Sequence, residues 1–405
     1  MKNAHDRLPP EAFRNGLPWD ELDQLRREEP LFQMLLPDGT LAWNLVRYED
    51  VAEGLRAVKH YATPNADAQA TFAANAINSE QPDAWSLHAM ILLSPPVHGE
   101  YRQQFTGLMK RDLLEHFRPR VSKIATEAVR AIREMGISDG VENCAAPAAA
   151  AFVADYLGIA PENREYLRRQ AAVFMGDTLL PAAVGTLETA SLGPRAICGA
   201  HGSPGRAAMD LIAESWGHAP WLDSSFVRNA GRWEIEDLGL QMLAAGVAGV
   251  RNCLVYAFEL LAPIWDKVKR NREAWLIRLT AVADEIIRHA TPLLRSRRIL
   301  TVDVFRHGQQ MRAGDTVLLW LVGANFDDIK FPDARCFQPF RTPNPHLSFG
   351  GGAHHCLGAP LARLEVEEFL RAMILNFDTI ELAGPPVRFP SNVVNEVSSL
   401  PIRVT

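Results

Sequence analysis

The chain has 405 residues, 47% of them hydrophobic and 22% charged, with a formal net charge of -6 at pH 7. This composition can bury a large core and argues against a disordered chain, and the acidic balance gives no case for nucleic acid. The five cysteines, Cys144, Cys198, Cys253, Cys336 and Cys356, are odd in number and widely spaced, with no CxxC pair, which argues against a disulfide framework or structural zinc and fits a reducing cytoplasm.

Met1 to Phe13 is polar and contains prolines, and no later stretch reads as the long uncharged apolar run of a membrane span, so a soluble protein is expected. A helix is expected around Trp19 to Glu29 and a turn at Pro37-Asp38-Gly39. A strand follows over Leu41 to Val46, then a helix from Tyr48. His60 to Ser94 reads as a long loop or a marginal helix, a length usually reserved for function. Val121, Ile124, Ala125, Ala128, Val129 and Ile132 mark one buried helical face, and Phe152 to Ile159 is an apolar helix stopped by Pro161. Ala190 to Arg206, rich in Gly and Pro, reads as a flexible connection. A long apolar helix runs from Glu236 to Ala262. Strands are expected at Arg298 to Val304 and Thr316 to Val322, with an irregular segment at Phe331 to Arg341. No composition break divides the chain, so one domain over 1–405 is expected.

The stretch Phe349-Gly350-Gly351-Gly352-Ala353-His354-His355-Cys356-Leu357-Gly358 sets a cysteine among four glycines, ahead of an amphipathic run from Leu361 to Ile374. Its sulfur would lie at the mouth of a helix, where unpaired N–H groups and the dipole favour an anionic sulfur and lower its pKa. Glycines let the backbone press against a flat macrocycle and take positive φ in the turn that aims the sulfur at a metal. The metal ligand is therefore read as Cys356.

As Phe-Gly-x-Gly-x-His-x-Cys-x-Gly, this stretch resembles the cysteine loop of the cytochrome P450 family, in its soluble bacterial branch. The resemblance spans about Leu41 to Val404 and implies a mainly α fold with small β-sheets and haem b, its iron on the Cys356 thiolate, between a long central helix and the cysteine-loop helix. It divides the chain into an N-terminal extension and first helix (1–40), a small β region (41–47 and 298–322), a helical core (48–290), and the cysteine loop and helix (346–375). Phe349, Gly350, His354 and Gly358 would frame the cofactor. His98 and Arg102, in Pro95-Pro96-Val97-His98-Gly99-Glu100-Tyr101-Arg102, resemble the family's His-x-x-x-Arg; with Arg298 and His354 they would meet the propionates. Glu285 and Arg288 match its Glu-x-x-Arg, a structural pair locking to an arginine best matched by Arg335 or Arg341. His289, His307 and His355 read as ordinary residues.

The long helix departs from the pattern. The family's Ala-Gly-x-(Asp/Glu)-Thr-Thr, whose acid and first threonine relay protons during oxygen activation, is matched by Ala245-Gly246-Val247-Ala248-Gly249-Val250, with Arg251-Asn252 anchoring the register. Ala248 and Gly249 can neither hydrogen-bond through a side chain nor transfer a proton. Space opens there, and the proton has to come from the substrate, or the reaction must need fewer protons. Gln241 and Asn252 are the nearest polar side chains and read as structural.

By resemblance the substrate pocket is lined by the His60 to Ser94 region, a lid around Ala190, Leu243, Ala244 and Val247, Leu293 and Leu294, and the segment Val394 to Ser398 including Val397, so the substrate is expected to be small and hydrophobic. No flavin or iron–sulfur motif is present, which implies a ferredoxin and its reductase as electron donors, with Arg102, Lys110, Arg111 and Arg363 as a basic docking face. The expectation is a cytoplasmic monomeric monooxygenase of secondary metabolism. Alternatives are a coupling, cyclising or rearranging P450 that inserts no oxygen, and a haem- or ligand-binding protein without turnover.

Overall fold

The computed structural model describes residues 7–36, 39–63, 90, 93, 95–166 and 242–405. The turn at Pro37-Asp38, nearly all of the His60 to Ser94 region, the connection around Ala190 and Gln241 lie outside the described residues.

The sheet side begins with α1 (Trp19–Glu28), β1 (Leu31–Leu35), β2 (Leu41–Leu45), α2 (Tyr48–Arg56) and β3 (Tyr61–Ala62). Helices α3 (Val97–Thr106) and α4 (Arg111–Met135), strand β4 (Ile137–Asp139) and helix α5 (Ala146–Tyr156) follow. After the undescribed stretch, a π-helical turn (Met242–Val247) runs into α6 (Ala248–Leu261), then α7 (Trp265–Arg270), α8 (Arg272–Ile277) and α9 (Leu279–Ala290). The chain returns to the sheet as β5 (Arg295–Leu300), the hairpin β6 (Val304–Arg306) and β7 (Gln309–Met311), and β8 (Thr316–Trp320) with α10 (Leu321–Asn325). Helix α11 (Ala359–Asn376) and strands β9 (Ile380–Leu382), β10 (Val387–Arg388), β11 (Val397–Ser399) and β12 (Pro401–Val404) complete it.

A five-stranded sheet has the order β1-β2-β8-β5-β3. Within it β2 and β8 are parallel, with Trp43 opposite Val317, and the other pairings are antiparallel. Asn44, fully buried between two apolar strands, is satisfied by Trp320 Nε1, which donates to Asn44 Oδ1 at 2.8 Å. Apolar side chains sort into two clusters, one around this sheet with α1 and α2, the other formed by α3 to α6, α9 and α11.

The expected helices at Trp19 and Tyr48 and the buried face of α4 are present, Ala128 being only partly buried. Several boundaries move. Strand β1 was not anticipated, because Leu31-Phe32-Gln33-Met34-Leu35 shows little alternation and is held as an edge strand by β2. The strand expected at Arg298 begins at Arg295 and ends at Leu300, and Val304 opens β6. The run Thr316 to Val322 stops as a strand at Trp320 and turns into α10, since a continuous apolar run carries no period to separate strand from helix. Helix α5 ends at Tyr156, where Gly158 takes φ +73°, so a glycine stop precedes Pro161, which instead opens a 3-10 turn. The helical run Ala245–Arg270 has a mean hydropathy of 1.4, long and apolar enough to cross a membrane, contrary to the sequence reading. In the fold 56% of its most apolar window is buried, with α6 packed among α5, α9 and α11.

One polar cluster ties these layers. Glu285 on α9 is fully buried; its Oε2 accepts from Arg288 Nε and its Oε1 from Arg288 Nη2, both at 2.8 Å. Arg341 Nε (3.2 Å) and the Gln338 amide (3.1 Å) donate to Oε1, and Asn344 Nδ2 (3.0 Å) to Oε2. Of the two candidate partners, Arg341 is the one engaged; Arg335 pairs with Asp20 and Asp23. Burial disfavours the Glu285 carboxylate, but the bonds and charges of Arg288 and His289 hold its pKa well below the usual range. Arg341→Ala is expected to cost about 3–5 kcal/mol in urea unfolding, because it leaves buried charge uncompensated, against about 1 kcal/mol for Arg335→Ala.

Candidate functional site

The cysteine loop is shaped by backbone geometry. Gly350 (φ +69°) and Gly352 (φ +64°) occupy the left-handed region, and the Cys356 amide closes the loop by donating to Phe349 O at 2.8 Å. A Cβ on Gly352 would run into the Leu55 carbonyl and stand 2.8 Å from Arg56 Cα, and one on Gly351 would stand 3.3 Å from Leu55 Cβ. The glycines at 351 and 352 thus also serve close approach to the end of α2, a contact that the sequence reading did not foresee. Gly358 caps α11, where a Cβ would lie 3.9 Å from Cys356 Sγ.

Sulfur Sγ of Cys356 accepts from the amides of Gly358 and Ala359, as the helix-mouth reading requires. Burial outweighs those donors, and the thiol pKa is raised rather than lowered. Burial thus opposes the anion, and a metal cation at the sulfur would favour it, since coordination deprotonates a thiol.

Four cationic or basic side chains converge beside the loop. The rings of His98 and His354 lie 4.1 Å apart, and Arg102 acts electrostatically on both histidines and on Cys356. Arg298 is 7% exposed; its Nη1 donates to Ser296 Oγ at 2.6 Å and to Arg297 O at 2.8 Å, and its Nε has no partner. Burial pushes Arg298 down to about 10, and burial with the charges of His98, Arg298 and Arg102 pushes His354 down to about 3. Among the described residues no carboxylate pairs with these four. Two arginines and two histidines, partly or fully buried and without a carboxylate partner, with one orphaned guanidinium nitrogen, are a donor set that a dianionic ring edge fits, beside a sulfur ligand.

Other sequence-selected residues are distributed as follows. Phe349 is partly buried against the helical core, with the Arg363 guanidinium 4.8 Å from its ring centroid. Arg363 Nε donates to Asp284 at 2.6 Å, so its charge is matched, and Arg102 faces the sulfur; Lys110 and Arg111 are the exposed members of the supposed basic face. Ala248 and Gly249 are half-buried directly after the π-helical turn, and a Cβ on Gly249 would meet nothing within 4 Å. Leu243 and Ala244 belong to that turn by backbone. Val247 is 6% exposed. Leu293 is 38% exposed and bridged to Val394, whereas Leu294 and Val397 are fully buried in the sheet-side and helical clusters. Those two side chains are spent on packing, a correction to their assignment as pocket lining. His355 is exposed, His307 pairs with Asp50 at 2.7 Å, and His289 flanks the Glu285 cluster.

Two residues escaped the sequence reading. Ser296 steadies Arg298, two positions along the same strand face. Glu365 on α11 is 2% exposed, its Oε1 lacks a partner, and burial raises its pKa well above the ordinary range. Its spacing at i, i+4, i+8 with Leu361 and Phe369 marks it as a carboxyl on the buried face.

The fold and the residues gathered beside Cys356 fit a haem-thiolate protein. A family model described as Cytochrome P450 matches residues 276–400. The chain is 28% identical to a methyl-branched lipid omega-hydroxylase of Mycobacterium bovis, over 93% of this chain and 89% of the relative. It is also 28% identical to the nocardicin C N-oxygenase of Nocardia uniformis, over 90% and 89%. A solved cytochrome P450 of Mycobacterium marinum in complex with pseudoionone superposes with a TM-score of 0.81 at 21% identity, covering 100% of this chain and 99% of the other, a likeness of fold. These matches support a bacterial-type cytochrome P450, an oxidoreductase of the monooxygenase type whose cofactor is haem with a cysteine thiolate on the iron.

Gly352→Ala is expected to abolish haem uptake, since the added methyl has no room and an unfavourable φ, while Gly249→Ala leaves the cofactor absorbance intact. Glu365→Gln tests the buried acid. As pH rises above the usual carboxylate range the unfolded chain ionises at Glu365 while the folded chain stays protonated, so the unaltered protein loses up to about 1.4 kcal/mol per pH unit until its folded pKa is passed. The variant is expected to match the unaltered protein in urea midpoint near pH 4 and to exceed it near pH 8.

Proposed function

We propose that this protein is a cytoplasmic, ferredoxin-supported monooxygenase of secondary metabolism that oxidises a small hydrophobic molecule and takes the proton for oxygen activation from that substrate. The observation that carries this reading is the open space at Gly249 beside Ala248, where neither side chain can donate. Cys356 would hold the iron, and His98, Arg102, Arg298 and His354 the propionates. Bound haem supplies dioxygen activation at the thiolate-ligated iron. The chain's own residues would enclose the sulfur and hold the ring edge, and α6 leaves room at Gly249 for more than a Cβ. A substrate hydroxyl, carboxylate or amine placed in that gap takes the part of the absent acid. Leu293, Val394 and the turn before Ala248 supply apolar surface for the body of the molecule, in keeping with relatives named for a branched lipid and an antibiotic.

The test is turnover of a panel of hydrophobic alcohols, acids and amines with ferredoxin, reductase, NADPH and labelled dioxygen, read by mass spectrometry. Label is expected in the product, and O-methylation of an accepted alcohol is expected to cut turnover on the order of 100-fold. The double variant Ala248→Asp with Gly249→Thr should restore turnover of the methylated compound. Equal rates for capped and free substrates would overturn substrate assistance. Unlabelled products lighter by hydrogens would favour coupling or cyclisation instead.

A further inference from the structure

Helix α6 does more than border the gap. Ala248, Asn252, Tyr256 and Glu259 fall at i, i+4, i+8 and i+11, one stripe of the helix, and below Ala248 that stripe grips the C-terminal segment. The Val397 amide donates to Asn252 Oδ1 at 3.2 Å. Tyr256 Oη accepts from Asn395 Nδ2 at 2.8 Å and from Arg388 Nη1 at 3.0 Å, and Arg388 also pairs with Glu259. Beside the stripe, Arg251 Nη2 meets Glu396 Oε1 at 2.6 Å. The same segment is sewn to the approach to β5: the Asn395 amide donates to Pro292 O at 3.0 Å, the Leu294 amide to Val393 O at 2.7 Å, and Leu293 bridges Val394.

Asn252, Tyr256 and Asn395 are 3%, 6% and 6% exposed, so their bonds are costly to leave unmade, and Arg251 and Glu396 are each more than four-fifths buried. The segments carrying Leu293 and Val394 thus cannot shift without breaking bonds to the helix that carries Ala248 and Gly249.

We propose that this strap is the specificity device of the pocket, with Arg251 and Glu396 as the positioning pair that sets where Leu293 and Val394 stand relative to the gap on α6. The proposal rests on the haem-thiolate reading. It assigns neither residue a part in proton or electron transfer: their ion pair holds the apolar wall at a fixed distance from the reacting end of the substrate. A wall set one side chain nearer or farther changes which bulky ligand fits, while a ligand too small to reach the wall is indifferent.

Azole ligands that bind haem iron and shift its absorption band test this without knowledge of the substrate. Imidazole serves as the small probe and 4-phenylimidazole as the one that reaches the wall, titrated against the haem-loaded protein, Arg251→Glu, Glu396→Arg and the double swap, with melting curves alongside. Each single reversal is expected to change the affinity ratio of the two azoles about tenfold, and the double swap to return it to within about threefold of the unaltered protein. Glu396→Gln, which keeps shape and removes only charge, is expected to move the ratio in the same direction by a smaller factor and covers the case in which a reversal does not fold. A normal imidazole shift with an unchanged ratio in the singles, or a double swap no closer to the unaltered protein than the singles, overturns the strap alone. Absence of any imidazole shift in the unaltered protein overturns the haem-thiolate reading, and the strap with it.

Discussion

The placement of the cysteine loop depends on the buried carboxylate of Glu285. It is bonded by Arg288 on its own helix and by Arg341 from the irregular segment, and the network does not stop there. Arg288 Nη1 donates to Asn325 O at 2.7 Å; Asn325 Oδ1 accepts from the Leu347 amide at 2.7 Å, and its Nδ2 donates to Ser348 Oγ at 2.8 Å. Ser348 in turn donates to Ile287 O at 2.9 Å, closing the circuit back to α9 immediately before Phe349. A charge in the interior is stable only when every lone pair and N–H is matched, so the position of residues 347 and 348 follows from the need to satisfy Glu285. Aromatic faces complete the enclosure, with Phe326 and Phe331 against the Arg288 guanidinium.

On this base the site is assembled from opposed electrostatic demands. Cys356 is a thiol that burial would keep neutral, and His98, Arg102, Arg298 and His354 are bases gathered where burial and mutual repulsion disfavour their charged forms. A metal cation at the sulfur and two carboxylates beside the four bases would relieve both. On α6, after the π-helical turn, a Cβ on Gly249 would meet nothing within 4 Å, at a position where the family carries an alcohol. Ala248 and the side chains bonded to the C-terminal segment therefore share one helix face.

Much of this was legible in the sequence. The Phe349 to Gly358 pattern, the Glu285 and Arg288 pair, and His98 with Arg102 are local spacings, and local spacing survives folding because it is written in consecutive residues. The absent pair at Ala248 and Gly249 could be read the same way, since Arg251-Asn252 fixed the register. Choosing between Arg335 and Arg341 could not be: the two lie six residues apart in a segment without period, and only folding sends one to Glu285 and the other to Asp20 and Asp23.

What the sequence alone determined, then, was the chemistry: a cysteine at a helix mouth, a set of bases in order, and a helix without its acid. Only the tertiary structure decided which atoms spend themselves on packing and which face open space. Leu293 and Leu294 are indistinguishable as residues, yet the β-bridge to Val394 leaves the first exposed and buries the second under the sheet. Glycines 351 and 352 have no Cβ because helix α2 passes beside them, a neighbour some 300 residues away in sequence. The direction of the Cys356 pKa turned on burial, which adds up contributions from the whole fold, whereas the helix mouth that favours the anion is visible in five residues.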